Sequence, residues 1–257
     1  MYGVDEPWLW RGQANSAYRI EPALHTRVRA NAVLDDDNVL EYTSGLLRAA
    51  RRAALDSHEG TQLPDMALLG LLQHHGAATP LIDVSLDPLV GLYMATVSPN
   101  TEDDKRDGAL FALRRPSERV SDFDSRSFAE IYESIGNHVV MYSAPDVSER
   151  LRIQRGHFLL GPVSTADARV TIPLTLDTRT GSETWLARRM DRRGAAGPPP
   201  GATSEVAVFR VTAKFKTAIR VWLEGRSGLT RDFVLPTSWH QPHLDRFAMA
   251  HGRQAAF

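Results

Sequence analysis

The order in which helical and strand patterns follow one another constrains the fold of this chain more than any single motif does. Val39, Thr43, Leu46, Leu47, Ala50 and Ala54 recur at helical spacing and predict a helix from about Asp37 to Asp56. Asp35–Asp37 suit its positive end, and Arg48, Arg51 and Arg52 lie toward its negative end. A second helix is predicted from Pro64 to about His75, because proline is tolerated in a first turn and Gly76 suits the position past the end. Thr79–Val84 reads as a short buried strand. Asp87-Pro88 restarts a helix, with Asp87 as cap and Leu89, Leu92, Tyr93 and Thr96 as its inner face. Gly108–Leu113, His138–Tyr142, Val170–Leu176 and Val206–Val211 read as strands. Phe215, Ala218, Ile219, Trp222 and Leu223 form an apolar helical stripe, expected in the core and closed by Gly225. Helices come early, strands are scattered, and no regular βαβ alternation occurs. The pattern predicts an α+β fold, a mixed central sheet with flanking helices, rather than a doubly wound sheet.

Of the 257 residues 42% are hydrophobic, enough for one sizeable core. The chain reads as a single domain over 1–257, with a mobile Gly/Pro loop at 192–203 and a polar loop at Ser98–Asp107. A formal net charge of −1 gives no overall electrostatic reason to expect nucleic acid or a membrane surface as partner. Cysteine is absent, so disulfides, thiolate metal sites and a cysteine nucleophile are excluded. The opening residues lack a secretory pattern, and no apolar run approaches the roughly 18 residues of a membrane span. The simplest reading is a cytoplasmic protein, with Ala and Arg usage that suits a GC-rich bacterium.

Several common chemistries lose support. The sequence has no G-x-x-x-x-G-K-S/T loop, no G-x-G-x-x-G after a strand, no G-x-S-x-G elbow and no H-E-x-x-H pair. His74 and His75 are adjacent, so on a helix they point about 100° apart. His240 and His243 are separated by Pro242. No metal site is expected.

Two stretches carry the chemistry. In Trp8-Leu9-Trp10-Arg11-Gly12-Gln13, a strand would place Trp8 and Trp10 on one face and Leu9 and Arg11 on the other. Gly12 lets another backbone or a ligand approach closely. Arg11 either makes a planar, two-pronged contact to phosphate or carboxylate, or staples the N-terminal segment through a salt bridge. In Gln73–Ala95, Asp83 interrupts an apolar strand and needs an arginine, a cap or solvent. Arg11 is one candidate partner; a self-contained turn and helix cap formed by Asp83, Ser85 and Asp87 is the other reading.

These residues resemble the FRG domain, a family named for an aromatic-Arg-Gly motif, supplied here by Trp10-Arg11-Gly12. Gln73-His74-His75-Gly76, Thr79, Leu81-Ile82-Asp83 and Asp87-Pro88-Leu89-Val90 through Ala95 resemble its most characteristic block. Arg152–Phe158, which reads R-x-Q-x-G-x-F, resembles a later R-x-x-Q-x-G-x-F element with one residue fewer between the arginine and the glutamine. Pro80 stands where the family commonly shows arginine. The resemblance implies a relationship to the ADP-ribosyltransferase fold, with NAD as substrate. It implies Arg11 and Gln154 as catalytic residues, and Arg11, Gly12, Thr79, Asp83, Ser85 and Tyr93 as nucleotide-binding residues. In that scheme Thr79 and Ser85 hydrogen-bond ribose or hold the strand, and Tyr93 or Phe158 stacks on nicotinamide. Gly156 stands where those transferases carry a glutamate; His157, Glu149, Glu133 and Asp83 are candidates for the vacant role. The implied function is ADP-ribosyl transfer or NAD cleavage in bacterial conflict or phage defence, with an antitoxin or defence-system protein as a partner and the acceptor unspecified. The alternative is a non-enzymatic module that binds a nucleotide or a protein in the same cleft.

Overall fold

Trp8–Gln13 folds as predicted into a strand, β1, and it lies inside the sheet. The structure, a computed structural model, describes residues 8–18, 20–58, 60–97, 101–122, 124–144, 154, 156–163, 206–234 and 241–252. After β1 come helices α1 (Ala23–Asn31) and α2 (Asp36–Arg52), a small hairpin of β2 (Ser57–His58) and β3 (Thr61–Gln62), and α3 (Asp65–His74). Next come β4 (Ile82–Ser85), α4 (Pro88–Met94), β5 (Gly108–Arg114), β6 (Arg119–Val120), α5 (Phe128–Ile135), β7 (Val140–Tyr142) and β8 (Gly156–Leu160). The last described elements are β9 (Val206–Val211), α6 (Lys216–Ser227), α7 (Arg231–Val234) and α8 (Pro242–Gly252). Seven strands form one sheet in the order β6-β7-β8-β4-β1-β5-β9. All pairs are antiparallel except β6–β7, so the fold is α+β with a mixed sheet, as expected. No described helix is long and apolar enough to cross a membrane.

Local chemistry explains the early elements. Asp35 caps α2, accepting from Asn38 N at 2.8 Å. The helix stops short of the predicted Asp56 because Ala54 turns into the left-handed region at φ 54°. Gly76 follows α3 at φ 96°, which glycine adopts without a Cβ penalty. Asp87 caps α4 by accepting from Leu89 N at 2.8 Å, with Pro88 in the first turn. The strand expected from Thr79 begins only at Ile82. Thr79 Oγ1 donates to the Gln73 side chain and accepts from Leu81 N, so Thr79–Leu81 is a stapled turn and not part of the ladder.

The core lies on both sides of the sheet. On one face Phe158, Leu160, Val140 and Tyr142 pack under α2, α3 and α5, with Leu46, Leu68, Leu72 and Ile131. On the other, Leu9, Ile82, Val84, Phe111, Met141 and Leu159 form a second apolar layer. Side chains of this size each contribute about 1.5–3 kcal/mol when fully buried.

The helix α4 sits on β1 by backbone contact. A Cβ added to Gly12 would collide with Gly91 O and Ala95 N and lie 2.9 Å from Met94 C. A Cβ on Gly91 would meet Leu110 Cδ1 at 2.9 Å and Trp10 Cβ at 3.0 Å. This approach turns Val90, Gly91 and Ala95 inward beside Tyr93 and Thr96, which are buried as expected, whereas Leu89 and Leu92, also expected on the inner face, are only half-buried.

One later expectation is also corrected. The α6 stripe is not core: Phe215 is 53% and Trp222 is 51% exposed, and only Leu223 is buried. The helix touches α4 along the single row Ile219–Leu223, and it closes at Gly228 (φ 66°), not Gly225. The polar stretch Ser98–Asp107 contains a short 3-10 turn, Thr101–Lys105, that is anchored in the interior. Buried Asp103 accepts from Asn15 Nδ2 at 3.0 Å and from the Tyr18 hydroxyl, while buried Lys216 Nζ donates to Ala14 O and Asp103 O at 2.5 and 2.7 Å. The predicted strand Val170–Leu176 and the loop 192–203 lie outside the described residues.

Two predictions follow from this packing. Gly12→Ala should cost at least the top of the range of about 1–3 kcal/mol usual for overpacking, because the clash is with backbone on α4; chemical denaturation measures it, and a wild-type midpoint would contradict the packing. The second concerns His25, which is fully buried with both ring nitrogens unpartnered among the described residues. Burial pushes its pKa down from 6.5 to about 4, so folding favours the neutral ring. Its contribution is present above the unfolded value and is lost as pH falls from 6.5 toward 4, by about 3 kcal/mol in all. His25→Leu should flatten the acid slope over that window by about one proton, and parallel pH–stability curves for the two proteins would contradict it.

Candidate functional site

The strand β1 pairs with β5 along its whole length but with β4 at one position only, Trp10 with Ser85. Beyond that pair residues of both strands, together with α3, α4 and the entry to β8, line a cleft. Its described lining includes Trp10, Arg11, Gly12, His74, Asp83, Ser85, Met94, Gln154, Gly156 and His157, and its volume is about 130 Å³. Clefts that take drug-sized ligands usually measure about 300–1,000 Å³. A cleft this small encloses one ring or one sugar, not a whole dinucleotide.

Strand alternation puts Arg11 on the face of Leu9, opposite Trp10 and Gly12. Arg11 therefore enters the cleft from beneath, where β1 and β4 part, and its Nη1 donates to Asp83 O at 2.7 Å. The predicted partnership with Asp83 exists, but through the backbone carbonyl; the Asp83 side chain is exposed. Arg11 Nε is buried without a partner among the described residues, and so is the indole Nε1 of Trp10. Burial lowers the Arg11 pKa from its ordinary value, and the charge of Asp83 works the other way. Buried N–H groups without acceptors are rare in folded proteins. Two of them belong to residues of one cleft whose single carboxylate, among its described lining residues, is Asp83.

The Gln73–Gly76 block divides its work. Gln73 accepts from Thr79 Oγ1 and holds the turn into β4. His74 lines the cleft and packs on Phe158, ring centres 5.7 Å apart. His75 Nδ1 pairs with Asp245 Oδ1 at 2.7 Å and docks α8. Gly76 supplies the positive φ.

The β8 side is tied down as firmly. Ser85 Oγ donates to Gln154 O at 2.6 Å and accepts from Asp87 N at 2.9 Å. Gln154 Nε2 donates to Val234 O at 2.7 Å. His157 Nδ1 lies 2.8 Å from Ser143 Oγ; burial, then Arg115 and Arg119, push its pKa down to about 4, so it is neutral near pH 7.

Arg11, Gly12, Asp83, Ser85 and Gln154, residues that the family resemblance singles out, thus border one cleft. Gly12 is glycine because α4 lies against it. Two predicted residues are elsewhere. Thr79 is fully buried in its turn, and Tyr93 is 1% exposed in a layer with Val90, Leu223 and Val234. The Thr79 hydroxyl staples the turn into β4, and the Tyr93 ring serves packing. Of the candidates for the glutamate role, Asp83 and His157 line the cleft, Glu133 lies on α5 away from it, and Glu149 is outside the described residues. Sequence reading underrated Trp10 and His74; both sat inside quoted motifs, but nothing local marks an indole or imidazole as cleft-facing. No group of three metal-ligating side chains occurs among the described residues.

An α+β domain whose central strands part around a buried arginine is the class that these features define. The model of the FRG domain family matches residues 6–104, and the chain carries an FRG domain. The match covers β1 to α4, and so Arg11, Gly12, Thr79, Asp83, Ser85 and Tyr93, but not Gln154. None of the curated proteins and none of the solved structures compared with the chain matches it.

Proposed function

We propose that the cleft binds a phosphorylated sugar and that the chain acts on NAD, by ADP-ribosyl transfer or by cleavage of the nicotinamide–ribose bond. One observation carries this reading. A desolvated guanidinium spends one hydrogen bond on a backbone carbonyl, keeps a buried Nε–H without a partner among the described residues, and shares its cleft with one exposed carboxylate among the described lining residues. A two-pronged donor suits phosphate. A carboxylate suits the positive charge that develops on ribose as nicotinamide leaves with the bonding electrons. Water or an acceptor nucleophile then adds to the anomeric carbon and gives up its proton. Arg11 would hold phosphate, Asp83 would face the ribose, and Ser85 and Gln154 would keep β4 and β8 in place. The cleft volume fits the nicotinamide ring or its ribose, with the rest of the dinucleotide outside. A role in bacterial conflict or phage defence, with an antitoxin or defence-system partner, belongs to the same reading.

A second reading is a nucleotide- or partner-binding module without catalysis. It is favoured by Gly156 in the glutamate position and by Gln154 Nε2, which already donates to Val234 O.

Thermal shift with NAD, followed by assay of free nicotinamide, separates the two. The enzyme reading expects both stabilisation and release; stabilisation without release selects the binding module. Arg11→Ala should weaken NAD binding at least about tenfold, equivalent to about 1.4 kcal/mol. The unliganded melting temperature should change little, since the variant also removes an unsatisfied buried donor. Arg11→Lys should rescue poorly, because an ammonium cannot make the two-pronged contact. If Arg11→Ala unfolds the protein, Arg11 is a structural staple and the proposal loses its support.

A further inference from the structure

The larger of the two cavities described here lies away from the cleft, between α1, α2 and the end of α8, with a volume of about 290 Å³. Its floor is apolar: Leu24, Leu46 and Ala78 are all buried. Its rim is charged, with Arg27, Arg48 and Glu41. Arg27 Nη1 is anchored on His251 O, which fixes one cation at the rim. Arg48 is exposed and makes no hydrogen bond or ion pair among the described residues.

The second observation is a glycine. Gly45 lies in the interior of the 17-residue helix α2, where glycine costs helix stability relative to alanine. Packing does not require it: an added Cβ would meet only Arg48 Nη2, at 3.9 Å. Gly45 lines this cavity, and a larger side chain there would project into it. Gly12 and Gly91 are glycine because backbone and side chains press on them; Gly45 is glycine where only open space adjoins it.

We infer that this cavity is a second binding site, which takes a small anion with an apolar body. The volume sits just below the range of about 300–1,000 Å³ usual for small-molecule sites, room for one or two fused rings with a head group. The buried aliphatic floor favours an apolar body. Two arginines against one glutamate favour a carboxylate or phosphate head. Glu41 and Arg48 are seven residues apart, about 10 Å along the helix, so the head group near Arg48 is clear of the carboxylate. The site is independent of the NAD reading.

The test uses 1-naphthoate as probe and neutral 1-naphthalenemethanol as control, titrated into the full chain by calorimetry. Expected are one saturable naphthoate site per chain and binding of the alcohol at least about tenfold weaker, a difference of about 1.4 kcal/mol. Gly45→Leu should abolish naphthoate binding while keeping or raising the melting temperature. Arg48→Glu, an exposed substitution that leaves the fold intact, should weaken naphthoate at least about tenfold and leave the alcohol unchanged. No naphthoate binding to the wild type overturns the inference, as does unaltered binding to Gly45→Leu, which would put the probe elsewhere, for example on the exposed Phe215 just before α6 and Trp222 within it. Equal affinity for acid and alcohol, or no effect of Arg48→Glu, overturns the anionic assignment.

Discussion

The contact of α4 with β1 is made by backbone, and much of the rest follows from it. With no side chain at Gly12, the carbonyl of Gly91 and the amide of Ala95 come down onto the strand. A helix so close to the sheet holds Trp10 beneath Gly91 and places Val90 and Met94 beside the cleft. Its start is set by Asp87, whose backbone amide is bonded to Ser85 Oγ, which in turn donates to Gln154 O. One glycine therefore aligns β1, β4, α4 and the approach to β8. The FRG family match covers this arrangement from β1 to α4.

The parting of β1 and β4 is what turns a packed sheet into a site. If the two strands stayed paired past Trp10 and Ser85, ladder hydrogen bonds would occupy the carbonyl of Asp83 and leave no gap. Instead the guanidinium of Arg11 takes that carbonyl, at the cost of desolvating a charge. A folded chain tolerates a buried N–H without an acceptor poorly. The cleft holds this cost on two neighbouring residues, Trp10 and Arg11, and an acceptor-rich ligand would relieve it.

Local signals made much of this legible in the sequence. Caps and breakers act on neighbours, so Asp35, Asp87-Pro88 and Gly76 marked three helix ends within a residue or two. Alternation in β1 was readable because it is a two-residue period. The misses are non-local. Thr79 looks like a strand residue until Gln73, six positions earlier, takes its hydroxyl. Phe215 and Trp222 look like core because periodicity reports which residues share a face and not whether anything covers it. Tyr93 lies on the inner face of α4, as its spacing suggested, but in the layer with Leu223 and not at the stacking position that the family resemblance implied. Arg11 and Asp83 were rightly brought together, yet no pattern in the sequence says that the acceptor is the carbonyl.

The central claim is that the Arg11 guanidinium is held ready for an anionic sugar. Its Nε–H can be observed directly in a protein labelled with ¹⁵N arginine, with Arg11→Lys used to assign the signal. Added ADP-ribose should shift the Arg11 Nε–H resonance and slow its exchange with water, while arginines remote from the cleft, such as Arg126, stay unmoved. A resonance that does not respond at saturating ADP-ribose would contradict the account, because the buried Nε–H of Arg11, which has no partner among the described residues, would then have no part in binding.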